Sequence, residues 1–211
     1  LYINVYTPDT SSDELLPVMV WIYGGGFTTG TSSGYNPDGF MRNQNVILVT
    51  FNYRLGALGF ASLRSIYNET NGRTTGGMNG VNDQIVALQW VQAYIADYGG
   101  DSDRVTIFGE SAGGFSSCYL SLIPKAADLF DKIIIQSGHC SPPFGNTVDY
   151  EEGITNSITQ LGYNGLSDDL TQLRAADASL FLGGIIGPAV DRYLLQRSTF
   201  DMLFSNNYTI N

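Results

Sequence analysis

The stretch RVTIFGESAGGFSSCYLSL, residues 104–122, carries the most informative pattern in the chain. Its first five residues are mostly β-branched or aromatic and predict a short buried strand. Its last nine, 114–122, can form a helix. A glycine-flanked serine lies between them, in Gly109-Glu-Ser-Ala-Gly113, and this order is typical of a nucleophile elbow, a sharp turn that exposes the serine hydroxyl. A side chain at either flanking glycine would collide with the neighbouring strand and helix.

A second glycine-rich turn lies upstream of the elbow. Residues 17–23, PVMVWIY, form an apolar run bounded by proline and glycine, which is typical of a strand buried on both faces. The run ends in Gly24-Gly25-Gly26. Free backbone N–H groups in such a turn, next to a nucleophilic serine, could form an oxyanion hole, whereas a plain turn is the alternative. The elbow 85 residues later favours the oxyanion hole.

Strand and helix signals alternate along the chain. Apolar runs predict strands at 1–6, 17–23, 46–51, 104–108 and 132–136. Apolar residues at helical spacing predict a helix over 83–97, with weaker helices at 150–161 and 168–176. The polar, glycine-rich segments 24–39 and 62–80 are predicted to be loops. Buried strands separated by helices imply an α/β fold, with a mostly parallel central sheet and helices on both faces.

The composition is that of an acidic globular domain. Of the 211 residues, 43% are hydrophobic and only 14% are charged, below the ~25% of an average soluble domain. No apolar run approaches the ~18 residues of a membrane-spanning helix. The net charge of −10 disfavours binding to nucleic acid or to an anionic membrane.

The ends of the sequence predict an internal fragment. The chain opens at Leu1 within a predicted strand, without an initiator methionine, and stops at Asn211 without a recognisable terminal element. The absence of a signal peptide therefore carries no information.

Two cysteines, Cys118 and Cys140, are predicted not to pair with each other. Cys118 lies two turns down the elbow helix, roughly 10 Å from the sheet edge where Cys140 should lie, at ~1.5 Å per residue. A disulfide needs Cα atoms within about 7 Å, so buried free thiols or a partner outside the chain are favoured. Two glycosylation sequons, at Asn68 and Asn207, are about as many as chance gives in this composition.

The motif region resembles a known family. Residues 98–114, YGGDSDRVTIFGESAGG, look like the active-site signature of the type-B carboxylesterases, which include cholinesterases, carboxylesterases and some lipases on the α/β-hydrolase fold. Tyr98 stands where the family usually has Phe, and Val81 and Asn82 also depart from its pattern. Further similar segments are 1–8, 18–27, 52–60, 79–91 and 187–191. The resemblance implies that 1–211 is a partial α/β-hydrolase domain, its N-terminal part, truncated at both ends.

The resemblance also implies roles for individual residues. Ser111 would be the nucleophile, and the N–H groups of Gly25, Gly26 and Ala112 would form the oxyanion hole. The residues themselves support Ala112, because it follows the nucleophile at a helix N-terminus, where N–H groups are unpaired and the helix dipole favours an anion. Ser137 matches a family serine that supports the catalytic acid.

A catalytic acid and base are harder to find in this chain. In these hydrolases the order is Ser, Asp or Glu, then His. The only histidine is His139, and the acids before it, Asp128 and Asp131, precede a strand and should lie at the opposite edge of the sheet. We interpret His139 as a loop or pocket residue and Glu110 as a buried structural carboxylate. The resemblance implies an acid and a histidine beyond the end of this chain.

The predicted function of the parent protein is hydrolysis of carboxylic esters, from small molecules or lipids, through an acyl-enzyme intermediate on Ser111. The alternative is a non-catalytic, cholinesterase-like adhesion domain, but such relatives commonly lack the serine. No metal or cofactor is expected, because no ligand cluster or nucleotide-binding loop occurs. The fragment alone is expected to be inactive. By family resemblance, the parent is expected to be a secreted or extracellular glycoprotein.

Overall fold

A five-stranded mixed sheet organises the chain. The computed structural model describes residues 1–8, 14–42, 44–140, 150–182, 187–191 and 193–194. The strands are β1 (Ile3–Tyr6), β2 (Leu16–Ile22), β3 (Ile47–Phe51), β4 (Gly100–Glu110) and β5 (Lys132–Gln136). Their order in the sheet is β1-β3-β2-β4-β5, in which β1 is antiparallel to β3 and every other pair is parallel. The prediction of a mostly parallel sheet is confirmed.

Seven helices connect and cover the strands in the described part of the chain. They are α1 (Asp38–Met41), α2 (Gly56–Phe60), α3 (Arg64–Glu69), α4 (Asn79–Tyr94), α5 (Ala112–Leu122), α6 (Tyr150–Gly162) and α7 (Leu170–Ala175). Short 3-10 turns occur at Ser32–Gly34, Ile95–Tyr98, Pro124–Ala126 and Ala178–Phe181. None of these helices is long and apolar enough to span a membrane.

The main core lies between the sheet and the helices α4 and α5. Alternate residues of β2 point into it, and Val18, Val20 and Ile22 are fully buried. The apolar face of α4 packs there through Leu88 and Val91. Burying each such side chain contributes ~1.5–3 kcal/mol, so this layer fixes β2 and α5 relative to each other.

The opposite face of the sheet is covered more thinly by the segment that contains α1. Phe40 stacks on Phe108 of β4 at 6.4 Å between ring centroids, and Tyr35 lies edge-on to Trp21 of β2 at 5.2 Å. Helical segments therefore lie on both faces, as predicted. The side chains of β5 are less covered, because Ile134 is 44% exposed and Ile135 is 38% exposed.

The differences from the sequence predictions concern boundaries and short elements. The predicted helix 83–97 begins at Asn79, and its last turn is the 3-10 turn Ile95–Tyr98. Three short helices were not predicted: α1, α2 and α3, of four, five and six residues. Helix α3 lies within the predicted loop 62–80, and α1 begins at the end of the predicted loop 24–39. Helices this short complete fewer than two turns, at ~3.6 residues per turn, and leave no periodic apolar pattern in the sequence.

Cys118 and Cys140 form a disulfide bond, with Cα atoms 5.2 Å apart, so the prediction that they do not pair is wrong. The chain after β5 does not remain at the sheet edge. It crosses directly over α5 at Gly138, where a Cβ would lie 2.6 Å from the carbonyl carbon of Gly114. It then continues along the helix towards Cys118, which removes the distance on which the prediction depended.

Candidate active site

Ser111 occupies a sharp turn between β4 and α5. Its backbone angles are φ 53° and ψ −119°, an unusual conformation for a residue other than glycine. Its N–H donates to the carbonyl of Gln136 at 2.9 Å, and its carbonyl accepts from the N–H of Phe115 at 2.9 Å. Such backbone conformations cost ~1–3 kcal/mol and persist only where the surrounding structure enforces them.

The two glycines that flank the elbow are required by close packing. A Cβ on Gly113 would overlap the carbonyl oxygen of Ile22, and one on Gly109 would lie 2.7 Å from that same oxygen. The same Cβ on Gly109 would also lie 2.5 Å from the carbonyl carbon of Gly113. The predicted collision with the neighbouring strand and helix is confirmed.

The triple glycine lies beside Ser111. A Cβ on Gly24 would be 3.2 Å from the Cβ of Ser111, so the loop and the elbow are in direct contact. Parallel pairing of Ile22 with Gly109 explains this, because it brings the carboxyl ends of β2 and β4 to the same edge of the sheet.

The backbone of the glycine loop turns sharply at Gly25 and Gly26, with φ of 113° and 62°. The carbonyl of Gly25 accepts from the N–H groups of Thr28 and Thr29 at 3.1 and 3.0 Å. Among the described residues, no backbone hydrogen bond uses the N–H of Gly25 or Gly26 as its donor. These two groups are therefore available to an acceptor at the sheet edge.

Ala112 is the first residue of α5 and is buried. The N–H of a first helical residue has no acceptor within its helix, and the helix dipole adds a partial positive charge there. Ser111 immediately precedes this N–H, so an anion formed next to its hydroxyl would lie at the helix N-terminus.

Three further polar residues lie near the elbow, two after the end of β5 and one at the last position of β4. His139 is exposed and its ring lies edge-on to Phe115, 4.7 Å between centroids. Ser137 is exposed and has φ 52° in the turn after β5. Glu110 is exposed and its Oε2 would lie 3.1 Å from a Cβ on Gly24. The prediction that Glu110 is a buried carboxylate is wrong for this chain, because β4 extends one residue beyond its pairing with β2, which ends at Ile22 and Gly109.

The acids before β5 lie far from the elbow along the sheet. The Asp131 carboxylate accepts from the N–H of Val105 at 2.8 Å, and its own N–H donates to the Val105 carbonyl. Val105 is five residues before Glu110 on the 11-residue strand β4. Asp131 therefore lies directly before β5, at the end of that strand opposite to the elbow, as predicted. Asp128 is exposed.

Sequence reasoning missed a pair of buried tyrosines that lies directly behind the glycine loop. Tyr23 precedes Gly24, and Tyr53 follows β3, and their rings stack at 4.5 Å between centroids. No sequence signal relates the two, because they are 30 residues apart and each hydroxyl bonds to backbone atoms of the other. Within the described ranges, no cluster of three or more His, Cys, Asp or Glu could hold a metal ion.

Known proteins resemble this chain in sequence and fold. A profile of the carboxylesterase family matches residues 1–199. Carboxylesterase 1D of Rattus norvegicus is 48% identical over 139 residues, which cover 65% of this chain and 23% of the relative. The para-nitrobenzyl esterase of Bacillus subtilis is 39% identical over 204 residues, covering 90% of this chain and 40% of the relative.

A solved structure shows the same similarity in fold. A carboxylesterase of Geobacillus stearothermophilus superposes with a TM-score of 0.82 at 32% identity, over 96% of this chain and 45% of that one. The predicted α/β-hydrolase architecture is confirmed by this match, and the chain spans less than half the length of these proteins. The sequence and the fold together place the chain in the carboxylesterase family.

Proposed function

We propose that residues 1–211 are part of a longer α/β-hydrolase domain whose full-length protein, called the parent below, hydrolyses carboxylic esters. The observation that carries the proposal is the contact between the strained Ser111 elbow and the glycine loop, where a Cβ on Gly24 would lie 3.2 Å from the Cβ of Ser111. In this arrangement the Ser111 hydroxyl and unpaired backbone N–H donors lie around the same small space, and acyl transfer requires both groups there.

In the proposed reaction, the Oγ of Ser111 attacks the ester carbonyl carbon as a histidine takes its proton. The carbonyl oxygen becomes an oxyanion, and the N–H groups of Gly25, Gly26 and Ala112 donate to it. The alcohol leaves with the proton from the histidine, and an acyl-serine remains. Water then attacks the acyl group by the same route and releases the carboxylic acid.

The acid and the histidine of the triad are proposed to lie outside residues 1–211. In the order Ser, acid, His, the only acids between Ser111 and His139 are Asp128 and Asp131. Asp131 binds the backbone of Val105, five residues before the elbow end of β4. The nucleophile and the oxyanion hole therefore come from this chain, and the proton-transfer machinery comes from the rest of the parent.

Labelling tests the proposal. The folded parent, treated with a fluorophosphonate, is expected to carry one adduct, on the peptide that contains Ser111, because only an activated serine reacts at neutral pH. Ser111→Ala should abolish the adduct. Ser121→Ala, an exposed serine on the same helix, should leave it unchanged. An unlabelled wild-type parent would support the non-catalytic adhesion domain instead.

We also propose that the parent is exported and glycosylated. Support comes from the Cys118–Cys140 disulfide, a bond typical of oxidising compartments, and from the exposed position of Asn68 near the end of α3. Asn207 lies outside the described residues. Mass spectrometry of the parent from its source cells should find the two cysteines linked in non-reducing digests, and Asn68 converted to aspartate by a glycosidase that releases N-linked glycans. Free thiols at both cysteines would contradict export.

A further inference from the structure

The glycine loop is held from behind by the two buried tyrosines. The hydroxyl of Tyr53 donates to the carbonyl oxygen of Tyr23 at 2.8 Å. The hydroxyl of Tyr23 in turn donates to the carbonyl of Tyr53 and accepts from its N–H, both at 3.3 Å. Tyr23 is 1% exposed and Tyr53 is 2% exposed. The ends of β2 and β3 are thus tied to each other by reciprocal side-chain to backbone bonds.

The bonded carbonyl belongs to the residue directly before the three glycines. Its orientation fixes the peptide plane between Tyr23 and Gly24, from which the loop departs. Three consecutive glycines have more backbone freedom than any other tripeptide, so their N–H groups point in a fixed direction only if the flanking backbone is fixed. The returning end of the loop also packs here, because a Cβ on Gly30 would be 2.5 Å from the Tyr23 ring.

The other end of the loop is anchored independently. Phe27 is buried with φ 61°, its carbonyl accepts from the N–H of Gly56 at 2.7 Å, and its ring lies edge-on to Phe60. Loss of the Tyr53 bond would therefore release one end of the loop while the other remained in place. Burial raises the pKa of Tyr53 well above its usual value, so its hydroxyl keeps the proton that it donates.

We propose that Tyr53 is a positioning residue, which holds the N–H groups of Gly25 and Gly26 in the direction of the oxyanion through its bond to the Tyr23 carbonyl. The inference rests on the proposed ester hydrolysis. Tyr53 does not contact the substrate in this proposal. Substitution of Tyr53 should therefore weaken binding of the transition state and leave ground-state binding of the substrate unchanged.

The test uses the parent with Tyr53→Phe, Tyr23→Phe and the double variant. Tyr119→Phe is the matched control, because Tyr119 is equally buried but lies on α5. The concentration of active enzyme is taken from the burst of p-nitrophenol that a p-nitrophenyl ester releases on acylation. Unfolded protein gives no burst and therefore does not affect kcat. Removing a whole oxyanion donor costs ~10²–10³ in kcat, and misdirecting two should cost part of that, about tenfold, with KM changed less than about twofold.

A trifluoromethyl ketone, which forms an oxyanionic adduct with a serine, provides a readout that lost stability would not move. Its inhibition constant should rise by the same factor as kcat falls for Tyr53→Phe, and the double variant should lose no more than the worse single variant. If Tyr53→Phe does not fold, Tyr23→Phe carries the test. Values of kcat and of the inhibition constant within twofold of wild type would overturn the inference. A wild-type parent with neither burst nor turnover would instead overturn the proposed function.

Discussion

Residues 1–211 alone are expected to hydrolyse p-nitrophenyl esters at least ~10⁴-fold more slowly than the parent. The chain contains the proposed nucleophile and oxyanion donors, but the only acids between Ser111 and its single histidine are Asp128 and Asp131. Asp131 is bound to the backbone of Val105, five residues before the elbow end of β4. Loss of single triad members in a serine hydrolase lowers kcat by ~10⁴–10⁶. The residual rate, from the oxyanion hole and binding, remains ~10³–10⁴ above that in water.

The comparison needs monomeric protein, because β5 is the last strand of the sheet among the described residues and such an edge can pair with other chains. The monomer fraction of 1–211 would be assayed beside the parent, with His139→Ala in both. Background turnover in 1–211, unaffected by the substitution, is the expected result. Robust turnover that disappears in His139→Ala would make His139 the base and would refute the proposal that the triad histidine lies elsewhere.

The sheet could be predicted because its strands are short apolar runs, although only β3 is fully buried on both faces and β2, predicted to be so, buries alternate residues only. All five residues of β3 are buried, and such runs stand out as continuous apolar segments. The long helix α4 could be predicted for a similar reason, since its buried face repeats at helical spacing over four turns. The short helices α1 and α3 were missed, because their conformation depends on tertiary contacts and not on a local pattern.

Predictions about the site succeeded where they depended on close backbone packing. The glycines beside Ser111 could be interpreted from sequence because only glycine fits where α5 touches β2. The prediction for Cys140 failed because it depended on where the chain goes after β5 ends. The prediction for Glu110 failed because this residue lies one position beyond the pairing of β4 with β2. The Tyr23–Tyr53 pair joins β2 and β3 through backbone atoms, and a sequence carries no mark of such a bond.

Gly25→Val and Gly26→Val in the parent are each expected to lower kcat by ~100-fold or more, because both residues are proposed to donate to the oxyanion. The two substitutions disturb the loop in different ways. A side chain on Gly25 would overlap the carbonyl of Thr29, so the loop must move. A side chain on Gly26 has open space, with Thr28 Oγ1 at 3.8 Å, but φ 62° is strained for a β-branched residue. In both variants the N–H groups turn away from the oxyanion.

Gly39→Val is the matched control for these substitutions, because Gly39 is exposed and a Cβ there meets nothing within 4 Å. Turnover would be normalised to the burst, and thermal midpoints would show whether the fold survives. Since the donors act on the transition state, KM should change far less than kcat. A turnover number that stays at the wild-type value in Gly25→Val or Gly26→Val would remove that residue from the oxyanion hole. It would leave Ala112 and the other glycine as its donors.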